Sequence, residues 1–575
     1  MHKVSLKMGN LSQIERKNSG ITFTPIPLAS FLSEKILEYY TVSDNGQSMV
    51  ITDPACGEGV LLLSIAQQLP SNLNAQILGY DTNQAFVDKA SIEFEKQGIV
   101  NSKFVCCDFL QESNPNKDLF SISNEDIPLS DIIIANPPYV RTQLLGAERA
   151  QQLAKDFSLS GKIDLYFAFI VAMTQNLKPD GIIGVITSNR YLTTKSGAPI
   201  RKYLFEHYEI LEVIDLGDTH LFDAAVLPAI FIGKKKRNKQ KKFFPCTYKK
   251  VYEQLTKTDL PRYKKYNSIY EILRQNESGI FQVNNKLYEY GVGLLKHDNE
   301  STGIWQMTSD NENKWLEQID SHTAFRIGDR FKVRVGIKSC ADNVFLNPNW
   351  DKEPIQPEPQ LMRTLISQEN ISRWFIDQAG CLKALYPHYS KNGKKATYDI
   401  ELYPKAKAYL EKHKAQLEGR KYLIEAGRKW YEMWVPQNPS TFDLPKLVFP
   451  DISLEPRFTF DKSGSLVNGN CYWIAANNQE EEYLLLLLEG VCNSKLMIKY
   501  HDLKFNNKLY SGRRRYLTQY IEKYPIPNPY SIPAERIVET VKLLNSSPKD
   551  SIEGLYRKLN IFVEEAFAVS IDTLD

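Results

Sequence analysis

Tryptophan is absent from the first 300 residues of this 575-residue chain; all seven tryptophans lie at residue 305 or later. So sharp a shift in composition, in a chain too long for one core, predicts two or three separately built parts. Cysteine is sparse, and its eight copies are scattered without a paired C-x-x-C, which argues against a zinc ribbon or a disulfide framework. No apolar run reaches membrane-spanning length; Tyr483–Leu488 is short and flanked by acids. The opening residues lack a signal-peptide pattern, so a cytoplasmic location is expected. A strong field of one sign is missing too: 71 Lys and Arg against 68 Asp and Glu leave a formal charge of +3. A polyanionic partner therefore has to be met by local patches. One such patch runs from Gly233 to Tyr266, with thirteen Lys or Arg against two acids, and begins Lys234-Lys235. A solvated linker explains it as readily as a phosphate-binding surface does.

What is present begins with a strand-like run, Ser48–Thr52, that enters Asp53-Pro54-Ala55-Cys56-Gly57-Glu58-Gly59 and then an apolar helix closed by Pro70. Strand, glycine turn and helix open a doubly wound α/β sheet. The third glycine of a dinucleotide site is missing, and acidic Asp53 and Glu58 would repel a pyrophosphate at the helix N-terminus. Ala55, Gly57 and Gly59 are expected to bring backbone close to some other ligand. A second strand ends in Asp81, at the distance where a carboxylate accepts ribose hydroxyls, and a third ends in Asp108. Each acid alone reads as a solvated turn. Three at successive strand ends point to one ligand with a ribose, an adenine and an amino acid, a description that S-adenosylmethionine meets.

A fourth strand, Asp131–Ala135, runs into Asn136-Pro137-Pro138-Tyr139. The prolines stiffen the turn and remove competing N–H donors. An amide and an aromatic ring are thus held at the carboxyl end of a buried strand, where such sheets bind ligands. The pair suits chemistry on the amino group of a planar substrate. No metal is signalled.

Together, Phe23-Thr24-Pro25, the Asp53–Gly59 turn and Asn136–Tyr139 resemble, in order and type, the gamma-class N6-adenine DNA methyltransferases of bacterial type II restriction–modification systems. Lys162–Phe169, Leu177–Gly181 and Leu221–Val226 extend the resemblance, which is dense over residues 20–235 and looser beyond. It implies a Rossmann-like doubly wound methyltransferase sheet followed by a C-terminal mixed α+β DNA target-recognition domain. It also implies S-adenosylmethionine as cofactor and a flipped-out adenine in double-stranded DNA as acceptor. By carry-over, Asp53 and Thr24 lie near the methionine end, Asp81 holds the ribose, Asp108 the cofactor's adenine amino group, and Phe169 lines the adenine pocket. Asn136 and the Pro137 carbonyl take the two amino hydrogens of the target, while Tyr139 and Phe222 cover its faces. Phe169 and Phe222 also fit ordinary core packing.

The expected division is 1–235 methyltransferase, 236–324 basic connecting segment, 325–530 target-recognition domain and 531–575 C-terminal helical segment. Arg428, Trp430, Trp434 and Arg457 belong to an irregular, proline-punctuated stretch, and Arg513-Arg514-Arg515 follow further on. Lys234, Lys235, Arg428, Arg513, Arg514 and Arg515 are the candidates for DNA contact, to phosphate more than to bases. A monomer is expected, with a separate cognate endonuclease as a possible companion. The same tetrapeptide also serves methyltransferases of ribosomal RNA adenine or protein glutamine, which are usually shorter. A fused nuclease is disfavoured: Pro450-Asp451 with Asp502-Leu503-Lys504 is too widely spaced for a carboxylate–lysine motif. A reading-only DNA-binding subunit would be expected to lose one of the two intact motifs.

Overall fold

The computed structural model describes residues 24–40, 48–70, 73–114, 127–139, 146–159, 164–219, 221, 227–238, 246–254, 263–297, 304–505, 508–509, 512–548 and 551–574. They fall into two compact units, Met1–Ser309 with Leu509–Gly512, and Asp310–Lys508 with Arg513–Asp575.

The first unit is built on an 11-stranded sheet. Its strands are β1 (Met49–Asp53), β2 (Ala75–Asp81), β3 (Ser102–Cys106), β4 (Ser130–Ala135), β5 (Leu177–Ser188), β6 (Tyr208–Asp215), β7 (Pro228–Lys235), β8 (Thr247–Gln254), β9 (Lys264–Tyr266), β10 (Gly279–Val283) and β11 (Lys286–Leu294). Their order is β3-β2-β1-β4-β5-β7-β6-β8-β11-β10-β9. β1 to β5 run parallel, and β7 lies antiparallel between β5 and β6. The helices that bear on the site include α1 (Ile26–Tyr39), α2 (Val60–Gln68), α3 (Gln84–Lys96), α4 (Ala147–Asp156) and α5 (Leu165–Gln175).

Alternation along β4 shows how the sheet is sandwiched. Ile132 and Ile134 face α1 and α2, joining Leu28, Phe31, Leu62 and Ile65 in one core. Ile133 and Ala135 point the other way, into a core built on Tyr166–Met173 of α5. β4 is covered on both faces, so it reads as an unbroken apolar run, and the polar residue that ends it is displayed at a strand terminus. Strand order reverses at β1, between β2 and β4, which is where doubly wound sheets open a ligand crevice.

Residues 236–324 depart from the expected connector. β8 to β11 prolong the same sheet, with β8 parallel to β6 and antiparallel to β11. The lysines hide this. Lys249 is buried in β8 and its Nζ meets Glu212 at 2.9 Å, while Tyr248, Val251 and Tyr252 fill core positions.

The second unit holds a four-stranded antiparallel sheet of β12 (Arg334–Val335), β13 (Lys446–Pro450), β14 (Thr459–Asp461) and β15 (Cys471–Ala475), in the order β12-β15-β13-β14. Leu447, Phe449 and Ile474 face the helices α6 (Gln479–Cys492), α7 (Lys495–Phe505), α8 (Ile532–Ser546) and α9 (Glu553–Phe567). Val448 and Trp473 face a second core with Tyr409, Met433 and Phe442. Two findings revise the expected division here. The stretch of prolines 436, 445, 450 and 456 contains a fully buried strand of the sheet, β13. The C-terminal helices also share one core with the preceding 200 residues, since Ile537, Leu559 and Phe567 pack with Leu485 and Leu488.

Candidate active site

The glycine turn is shaped by carboxylates before any ligand is considered. Asp53, fully buried at the end of β1, accepts the Ala55 N–H at 3.0 Å. Asp81, ending β2, accepts the Gly57 N–H through Oδ2 at 2.9 Å and the Asn83 N–H through Oδ1 at 2.9 Å. Gly57 and Gly59 take φ of +52° and +80°, the left-handed region in which a side chain is strained. Asp108 caps the short helix Phe109–Glu112 by accepting the Leu110 N–H at 3.0 Å.

These acids surround a cavity of about 390 Å³, inside the ~300–1,000 Å³ range of small-molecule sites. Thr24, Asp53, Ala55, Gly57, Asp81, Asp108, Asn136, Pro138 and Phe169 line it. Most of the expected cofactor residues are therefore brought together. Gly59 stands behind the wall as the N-cap of α2, where a Cβ would meet Ala90 Cβ at 3.1 Å. Burial pushes the Asp53 carboxyl up to about 8; the Ala55 N–H opposes the rise and the Asp81 charge adds to it. Cys56, beside the turn, is buried and its thiol is pushed up by that burial, which fits packing and not nucleophilic chemistry.

Asn136 emerges from β4 at the cavity wall, 9% exposed. Its Nδ2 donates to Thr24 Oγ1 at 3.0 Å, and its Oδ1 accepts the Tyr139 hydroxyl at 2.5 Å. Burial raises the Tyr139 phenol far above its ordinary value, so the hydroxyl stays protonated as a donor. Pro137 is buried and Tyr139 half-buried. Phe23 and Phe222 lie outside the described residues.

The cavity also contains residues the motifs do not announce. Arg149 of α4 approaches Asp108 at 3.3 Å, from 41 positions away. Asn83, Phe86 and Leu110 add walls. Asn83 and Phe86 follow the strand-end acid within five residues, a signal available in the sequence; Arg149 has no local one.

Most of the cations proposed for DNA have internal partners. Lys235 gives its ammonium to the Thr174 and Leu177 carbonyls at 2.6 and 2.5 Å, and Lys234 lies 4.0 Å from Asp180. Arg428 binds Glu432 at 3.0 Å and the backbone carbonyls of Met433 and Trp434. Arg514 forms a two-pronged pair with Asp502 at 2.6 and 2.7 Å, and Arg515 meets Asp451. The two acids of the weak nuclease-like pattern are thus held in ion pairs. Arg513, by contrast, is exposed.

Known proteins resemble this chain along most of its length. Residues 75–222 match the Eco57I restriction-modification methylase family and residues 386–526 the TaqI-like C-terminal specificity domain. The Type II methyltransferase M.BanIII of Aneurinibacillus aneurinilyticus is 41% identical over 93% of this chain and 94% of its own. The Type II methyltransferase M.BstVI of Geobacillus stearothermophilus is 22% identical over 88% and 91%. Among solved structures, the Type IIL restriction-modification enzyme MmeI in complex with DNA covers 97% of this chain and 78% of its own, at TM-score 0.58 and 14% identity, a likeness of fold. A relative this similar along nearly the whole of both chains settles the family: the chain belongs to the type II restriction–modification methyltransferases, with a methylase part followed by a specificity domain.

Proposed function

We propose that this chain transfers the methyl group of S-adenosylmethionine to the N6 amino group of an adenine swung out of double-stranded DNA, within a sequence read by its C-terminal unit. The observation that carries the reading is that the Asn136 amide stands in the wall of the same cavity as Asp53, Asp81 and Asp108. The residues present fit the cofactor: the buried Asp53 and the half-buried Asp81 and Asp108 suit its ammonium and hydroxyls, and open space lies over Gly57, where an added Cβ would meet nothing within 4 Å. Asp81 keeps lone pairs for the ribose hydroxyls, Asp108 takes the adenine amino group, Phe169 borders its ring, and Asp53 serves the methionine end, with Thr24 in the cavity wall beside it. When bound, S-adenosylmethionine supplies a methyl group made electrophilic by its sulfonium.

The chain's own task is to aim an amine at that methyl. Asn136 Oδ1 and the Pro137 carbonyl accept the two amino hydrogens of adenine and turn the nitrogen lone pair out of ring conjugation. Pro138 has no N–H to compete for those acceptors. Extruding the base costs a few kcal/mol, and stacking between Tyr139 and Phe222 returns about 1–3 kcal/mol per base, which roughly offsets it. Catalysis then rests on positioning and electrostatics. In a restriction–modification setting, the mark protects host DNA from a separate endonuclease that reads the same word.

The test mixes the purified protein, or an Asn136→Ala control, with radiolabelled S-adenosylmethionine and unmethylated bacterial DNA, then separates the nucleosides. Label in N6-methyladenine from the wild type alone supports the reading. Label in a cytosine, or only in RNA or protein, overturns the acceptor.

A further inference from the structure

Asn136 can serve as an acceptor only if the oxygen end of its amide, and not the NH₂ end, faces the incoming amine. Nothing in the strand–turn geometry chooses between the two, because an amide rotated by 180° occupies nearly the same volume. The choice has to come from what the two ends touch: both partners are hydroxyls, but a phenol is the stronger donor and an aliphatic hydroxyl the better acceptor. Here Nδ2 donates to Thr24 Oγ1 at 3.0 Å, across 112 positions of sequence, and Oδ1 accepts from the Tyr139 hydroxyl at 2.5 Å. Thr24 directly precedes Pro25, the N-cap residue of α1, whose Leu28, Phe31 and Leu32 are locked into the core beneath β4. The Thr24 hydroxyl is therefore held on a rigid element, while Tyr139 belongs to the same turn as Asn136.

We propose, on the basis of the methyl-transfer reading above, that Thr24 is a positioning residue. Its hydroxyl accepts the Asn136 NH₂ and thereby presents Oδ1 to the substrate amine, and this is its main contribution, ahead of any contact with the cofactor. The Tyr139 hydroxyl holds Oδ1 from the other side in the empty site. It leaves when the ring turns to stack on the base, so the acceptor is handed from a phenol to the amine without a stage in which a buried amide oxygen lacks a donor. Such an unsatisfied stage is costly, which gives the hand-over its purpose.

The test compares Thr24→Val, which keeps the shape and removes the acceptor, with Thr24→Ser, which restores it. Three quantities are measured for each: kcat on unmethylated phage DNA, the dissociation constant for S-adenosylmethionine by calorimetry, and the thermal midpoint. Expected for Thr24→Val is a fall in kcat of about tenfold or more, with cofactor affinity within about twofold of wild type and the midpoint lowered by no more than about 2–4 °C, the cost of the acceptor lost to the Asn136 NH₂. Thr24→Ser returns most of the rate. Loss of cofactor affinity with kcat retained would overturn the proposal and make Thr24 a cofactor contact. Equal damage in Val and Ser would overturn it in favour of methyl-group packing. Should the wild type label another planar amine, the functional reading fails, yet the same comparison on that acceptor still decides the role of Thr24.

Discussion

Asp81 and Gly57 are joined by a 2.9 Å hydrogen bond from the glycine N–H to Oδ2, so the acid proposed to hold the ribose also holds the turn beside it. A carboxylate offers about four acceptor positions; Gly57 and Asn83 take one on each oxygen, which leaves one on each for a pair of vicinal hydroxyls. Asp81→Asn replaces one oxygen by a donor and has to abandon one of these partners. Hydrogen bonds to charged groups contribute about 1.5–3 kcal/mol. Asp81→Asn is therefore expected to weaken S-adenosylmethionine binding about tenfold, and Asp81→Ala about a hundredfold with a lowered melting temperature. Calorimetric titration of both variants checks this; unchanged affinity in Asp81→Ala would remove the acid from the cofactor site.

Asp53 gives the site a pH signature. Its carboxyl is raised from an ordinary 3.8 to about 8, so between those values the folded protein keeps a proton that the unfolded chain releases. The sign follows: this group's contribution to stability is complete below the ordinary value and is lost as pH rises toward about 8. A cationic ligand reverses the preference by favouring the carboxylate, so cofactor binding should expel a proton and strengthen as pH climbs from 6 to about 8. Calorimetry at pH 7 in buffers of differing ionisation heat measures the proton directly. Uptake in place of release, or the same release from Asp53→Asn, would sink the assignment.

The two left-handed glycines are expected to respond differently to alanine. Gly59 has φ +80° and would push its Cβ to 3.1 Å from Ala90 Cβ, whereas Gly57, at φ +52°, faces open space. Left-handed backbone costs an L-residue about 1–2 kcal/mol, so Gly57→Ala should lose about that much stability. Crowding against α3 adds to it in Gly59→Ala. The added Gly57 methyl stands in the cavity and should cut cofactor affinity as well, while Gly59→Ala acts through stability alone. Urea denaturation set beside cofactor titration separates the two; equal losses in both assays would contradict the geometry.

The methylase half was legible where one residue type meets one strand end. Asp53, Asp81 and Asn136 each end or follow a buried strand, while Asp108 follows the edge strand β3, and cover on both faces writes the buried strands as plain apolar runs. Legibility failed where charge is satisfied inside the protein. Lys249 is 5% exposed against Glu212, which Lys35 also approaches at 3.8 Å, so a strand of the sheet reads as part of a basic linker. Tyr252 of the same strand donates to the buried Asp215 at 2.6 Å, a tie across 37 positions that no local pattern reveals. Arg149 reaches the cofactor cavity for the same non-local reason. Arg428, Arg514 and Lys235 looked like nucleic-acid contacts because a cation's partner is invisible until the chain is folded.

That last ambiguity separates Arg513 from Arg514. Burial acts to raise the Asp502 carboxyl, but Lys508 and Arg514 outweigh it and hold the group at about 2. Its stabilising contribution is thus present above the ordinary carboxylate value of 3.8 and fades as pH falls toward 2. Arg514→Ala takes the two-pronged partner from a mostly buried carboxylate, leaving it Lys508 at 3.5 Å, and should cost about 1.5–3 kcal/mol. Exposed Arg513 has no comparable structural duty, so Arg513→Ala should stay within about 0.5 kcal/mol of wild type. If Arg513 meets a phosphate, its removal should weaken binding to DNA of any sequence and lower the slope of log affinity against log salt by about one. Denaturation curves and salt-dependent binding to a non-specific duplex, run on both variants, make the comparison. Arg514→Ala with full stability but a reduced salt slope would reverse the two roles, because the fork that Arg514 closes on Asp502 would then hold nothing in the fold.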